Sequence, residues 1–148
     1  MKRFHRYAIH AGAAAALAFS AACGGSSGSS LLTPTTPTPT TPAVTETYTD
    51  TIPQLGSASH VFTVASSGEV DVSVTAVSPL ATMAVGVEIL SSDGTSCLTA
   101  LGQNDNARVG SVALSGLAAN GSYCVKVYDS GNIPDGGSSD VTVQVVHY

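Results

Sequence analysis

Beyond Val44 the chain repeatedly sets an apolar residue at every second position. Val70, Val72 and Val74 share one side while Glu69, Asp71 and Ser73 take the other, and Val141, Val143 and Val145 alternate in the same way with Thr142 and Gln144. Tyr123, Val125 and Val127 form a third such run. A period of two is the period of a strand with one buried and one wet face, and a helix cannot use it. β-Branched valine and threonine reinforce the choice, because their side chains suit a pleated surface.

Eight strands follow from this pattern: Thr45–Thr51, His60–Ala65, Glu69–Val77, Met83–Leu90, Cys97–Gly102, Arg108–Leu114, Ser122–Asp129 and Val141–Tyr148. Between them lie Ser67-Gly68, Ser92-Asp93-Gly94, Asn104-Asp105-Asn106, Asn120-Gly121 and Asp135-Gly136-Gly137, residues that tolerate the dihedrals of tight turns. Short alternating strands broken by such turns predict an all-β antiparallel sandwich over residues 45–148, with Val70, Val72, Val74, Val125, Val127, Val143 and Val145 in its core.

The N-terminus reads as an address. Lys2, Arg3 and Arg6 precede the apolar run Ala11 to Phe19, which ends in the small residues Ser20, Ala21 and Ala22. That order is a signal peptide over residues 1–22, and its apolar stretch falls short of the roughly 20 residues that span a bilayer. Ser20-Ala21-Ala22-Cys23 resembles a bacterial lipobox, which implies a lipid on Cys23 and anchorage at the outer membrane or cell surface. Ordinary cleavage at the same site would leave Cys23 as a free thiol. Residues 23–44 then form a linker, flexible where it is Gly and Ser and extended where it is Thr and Pro.

Charge narrows the partners. All ten acidic residues lie beyond position 45, against only Arg108 and Lys126 among the five basic ones, so the exported part carries a net charge of −8. Nucleic acid needs clustered Lys and Arg and is excluded as a partner.

The order of Ser59-His60-Val61-Phe62-Thr63-Val64, Gly68-Glu69-Val70-Asp71-Val72-Ser73-Val74, Ser92-Asp93-Gly94-Thr95 and Gly121-Ser122-Tyr123-Cys124-Val125-Lys126-Val127-Tyr128-Asp129 resembles the bacterial pre-peptidase C-terminal domain. The resemblance implies a jelly-roll-like β-sandwich of about eight strands. Such modules are commonly appended to secreted enzymes, and some related ones bind calcium or extracellular polymers.

Few constellations carry chemistry. His60 and His147 stand in no catalytic or metal-binding spacing and read as polar strand positions. With Cys23 assigned to lipid, Cys97 and Cys124 remain, and an oxidising compartment makes a structural disulfide between them the expectation. Because Cys124 alternates with Tyr123 and Val125, the bridge should lie on the outer face of its sheet or reach a loop. Asp93, Asn104 and Asp105 offer loop oxygens of the kind calcium takes, although turn chemistry explains them more economically. The chain thus reads as a non-enzymatic, lipid-anchored envelope module that binds a protein or an extracellular polymer, or else as a spacer without a discrete ligand. With no Trp and few Tyr, a sugar-stacking platform would be thin, which favours protein.

Overall fold

The structure is a computed structural model that describes residues 42–148. The expected signal peptide, Cys23 and nearly all of the linker lie outside the described residues. Eight strands follow one another: β1 (Val44–Pro53), β2 (Ser57–Val64), β3 (Gly68–Ser78), β4 (Val85–Ser92), β5 (Cys97–Ala107), β6 (Val112–Ala118), β7 (Gly121–Tyr128) and β8 (Ser138–His147). Among the described residues there is no helix.

The strands form two four-stranded sheets, ordered β1-β8-β3-β6 and β2-β7-β4-β5, with every strand pair antiparallel. Successive strands mostly jump between the layers, and the result is the double Greek key of a jelly roll. The fold expected from the sequence is therefore the fold observed.

Register follows the valine alternation. Val70, Val72, Val74, Val125, Val127, Val143 and Val145 are all buried, with Phe62, Val64 and Ile52 completing the layer between the sheets. Thr45, Thr47, Thr49 and Thr51 of β1 are exposed on the opposite face, as the two-residue period requires.

Most strand ends shift by one to three residues from the sequence reading, and one stretch departs from it further. Asn104-Asp105-Asn106 is strand rather than turn, β5 continues to Ala107, and β6 begins at Val112 instead of Arg108. The cause is tertiary. Asn104 Nδ2 donates to the Ala113 carbonyl at 2.8 Å, and Asp105 accepts a hydrogen bond from the Tyr128 hydroxyl, so both polar side chains are satisfied within extended backbone. Such pairing outweighs the turn propensity of the tripeptide. The reversal instead falls between β5 and β6, where Gly110 adopts φ 88°.

Candidate functional site

A two-sheet sandwich has two open sides, where the edge strands of its layers face each other. Here those sides are built differently. Along one run β1 and β2, along the other β5 and β6.

The β1–β2 side is closed by a polar and aromatic clip. Glu46, Tyr48, Asp50 and Ile52 share the inward side of β1, opposite Val145, Val143, Val141 and Ser139 of β8. His60 of β2 donates from Nε2 to Asp50 Oδ2 at 2.7 Å, and its ring stacks on Tyr48 with centroids 4.3 Å apart and planes 8° from parallel. His147 is buried against Phe62 and donates from Nε2 to Glu46 Oε1 at 3.0 Å, while the other Glu46 oxygen accepts the Tyr48 hydroxyl. Burial first, and then the Glu46 carboxylate, push the Tyr48 phenol well above its ordinary pKa. His147 Nδ1 is buried and has no hydrogen-bond partner among the described residues. Both histidines are strand positions, as the sequence implied, but they are packing and cross-sheet groups as well.

On the β5–β6 side the sandwich stays open. Gly102 of β5 pairs with Ile89, and Gly116 of β6 pairs with Val70; both partners point into the core, so both glycines occupy inward positions without filling them. A cleft of about 160 Å³ results, walled by Phe62, Val70, Ile89, Leu101, Leu114 and Leu117. Its lining is mainly apolar, with Ser115 the polar side chain among it. A Cβ added at Gly116 would meet nothing within 4 Å, so the glycine borders open space.

The rim is apolar too. Of the exposed large aliphatic residues, Leu101 of β5 and Leu117 of β6 line the cleft, with Leu117 91% exposed, while Leu98, Val109 and Val112 lie elsewhere along the same two strands and the turn between them. Scattered single aliphatics are ordinary on a protein surface, but two exposed leucines bordering an apolar cleft make it a candidate interaction site. Sequence reading missed this site: Gly102 closed the expected strand Cys97–Gly102, and Gly116 lay beyond the expected strand end at Leu114. Instead β5 runs on to Ala107 and β6 to Ala118, which makes both glycines strand-interior residues, a signal of close backbone approach.

On the outer face of β7, Tyr128 lies across Gly86 of β4, where an added Cβ would come within 2.2 Å of the ring. Its hydroxyl reaches Asp105, and Lys126 Nζ sits 5.3 Å from the ring centroid while pairing with Glu88 at 3.0 Å. Burial, then the Asp105 hydrogen bond, push the Tyr128 phenol up to about 12.

The remaining expected residues are placed as follows. Cys97 and Cys124 are bridged, with Cα atoms 5.6 Å apart. Cys124 alternates with inward Val125 on β7, so the bridge lies on the outer face of the sheet and fastens the start of edge strand β5 to the sheet interior. The three calcium candidates do not converge. Asp93 closes its own turn, accepting from the backbone N–H of Thr95 and Ser96, and these donors with the Thr95 hydroxyl hold its carboxyl below the usual range. Asn104 points inward and Asp105 outward on β5, so the pair cannot ligate one ion through their side chains. Asp93 lies beyond the opposite end of that strand. Among the described residues no three His, Cys, Asp or Glu side chains cluster as a metal site.

Fold and site together define an eight-stranded jelly-roll domain with one clipped side and one open apolar cleft. No family model matches the chain, and no curated protein does. Among solved structures it is similar to Aeromonas hydrophila PliG, a periplasmic lysozyme inhibitor of g-type lysozyme. The two share 14% identity at a TM-score of 0.43, over 71% of this chain and 86% of that one.

Proposed function

We propose that this chain is a non-catalytic binding module of the bacterial envelope, and that its ligand is a protein which places an apolar group in the β5–β6 cleft. The observation that carries this reading is the cleft itself: two inward glycines leave it open, and the exposed Leu101 and Leu117 line it. Burying those leucines against a partner removes apolar surface that water otherwise covers, which favours association. A pure spacer has no use for such an opening.

Catalysis finds little support in the histidines, since His60 is engaged by Asp50 and Tyr48 and His147 is buried. The polymer reading would rest on Tyr128, a single ring tied down by Asp105. Export is supported by the Cys97–Cys124 bridge, because such bonds persist in oxidising compartments. The lipid on Cys23, the outer-membrane or surface address and the kinship with pre-peptidase C-terminal domains complete the proposal on the strength of the sequence motifs.

A photo-reactive amino acid placed at Leu117 in the full-length protein tests the reading in cells. Covalent adducts with a protein should form there, fail to form from exposed Thr47, and disappear when Gly116→Leu fills the cleft. Equal adducts from both positions would oppose it.

A further inference from the structure

Four strands of the sandwich are edges: β1, β6, β2 and β5. An edge strand exposes unpaired N–H and C=O groups and invites another chain to pair, so proteins guard edges with inward charges, proline or bulges. Three of the four are guarded. Strand β1 points Glu46 and Asp50 inward and ends at Pro53. Strand β2 carries His60 in the clip. Strand β5 pairs with β4 through three register irregularities, which twist an edge away from flat pairing.

Strand β6 has none of these along its outer half. Val112–Ala118 contains no charged residue and no proline, and its run from Leu114 to Ala118 pairs with β3 without interruption. Gly116 sits in that run with open space around it, which lets a second backbone come close. The same residue forms the lip of the apolar cleft. An unguarded edge and a side-chain socket therefore coincide on one strand, and strand addition requires both: the ladder supplies affinity and the pocket supplies selectivity.

Charge indicates what pairs there. Glu69 and Asp71 of β3 stand opposite Leu117 and Ser115 of β6, on the face beside the edge, in a domain of net charge −8. Cationic side chains on an incoming strand would meet them, whereas a second copy of this chain would bring the same acidic face.

We propose that β6 is a docking edge for an extended segment of another protein, which adds as a fifth strand, sets an apolar side chain in the cleft and faces Glu69 and Asp71 with lysine or arginine. This rests on the cleft being the binding site, and specifies how the partner uses it.

The test titrates the full-length protein with a fluorescent seven-residue peptide alternating lysine with leucine. Its controls are the same peptide with N-methyl groups along one backbone edge, and a glutamate–leucine version. The lysine peptide should bind and slow amide hydrogen exchange within Val112–Ala118. N-methylation should weaken binding by at least about tenfold, since one lost net hydrogen bond alone carries up to about that factor. The glutamate peptide should bind more weakly than the lysine one.

Equal binding of the N-methylated peptide without protection of β6, but with loss on Gly116→Leu, would overturn strand addition while leaving the cleft reading intact. Binding indifferent to Gly116→Leu would remove the cleft reading itself. Self-association that protects β6 would assign the edge to a second copy, and uptake of a fatty acid with no peptide binding would assign the cleft to lipid; either result overturns the proposal.

Discussion

Reduction of the Cys97–Cys124 bridge should lower stability by an amount that the sequence separation fixes. The bridge spans 27 positions, and closing a loop of that length removes chain entropy worth about 3.5 kcal/mol at 25 °C. An unfolding entropy of about 2.1 cal/mol/K per residue, over the strands from Val44 onward, converts that into a Tm shift of about 15 °C. Far-UV circular dichroism melts of the oxidised protein and of the same protein reduced through one unfolding cycle give the shift directly. Comparing two redox states of one sequence avoids the cavity that Cys124→Ala would leave at a fully buried position. The reduced form should remain an all-β domain at 25 °C, because the valine core contains neither sulfur. A shift below about 4 °C, the equivalent of roughly 1 kcal/mol, would show that the unfolded chain is already restricted and that the loop-entropy argument fails here.

Gly86→Ala should destabilise the domain by about 1–3 kcal/mol, since the new methyl displaces the Tyr128 ring and breaks its bond to Asp105; urea titration reads the loss. Ultraviolet titration should place the Tyr128 phenol near pH 12. Because the folded state holds that proton more tightly than the unfolded state, stability should fall as pH rises from about 10 toward 12. Burial pushes the Asp129 carboxyl up, but backbone N–H groups of Leu55, Gly131, Asn132 and Ile133 outweigh it and hold the pKa below normal. Its contribution should therefore be complete above about pH 4 and be lost as pH falls through the lowered value, and Asp129→Ala should flatten the acid limb of the stability curve.

The valine alternation made the fold legible, because a period of two leaves little choice of conformation and the buried set selects the register. The disulfide was expected on a different ground: with the lipobox-like Cys23 set aside, Cys97 and Cys124 are the two cysteines left, and an N-terminus that reads as a signal peptide makes a bridge the expectation. Asn104 shows where local reading stops. Its turn propensity is real, but its amide serves a carbonyl nine residues away, and only the assembled sandwich brings Ala113 there. The cleft escaped the sequence for a related reason. Gly102 read as a strand end and Gly116 as lying past one, and they become a site only because both strands run on and the jelly-roll order makes β5 and β6 edges on the same side. The β1–β2 clip was hidden in the same way, since Glu46 and His147 are 101 positions apart.

The central claim is that the opening left by Gly116 is where a protein partner docks, and one comparison addresses it most directly. Gly116→Leu places a side chain into open space at a position without positive φ, so the domain should keep its Tm and its dichroism spectrum. Affinity for the partner identified by cross-linking at Leu117, measured by calorimetry on the full-length protein, should fall by about tenfold or more as that side chain occupies the socket. Unchanged affinity in a variant that is equally stable would contradict the account.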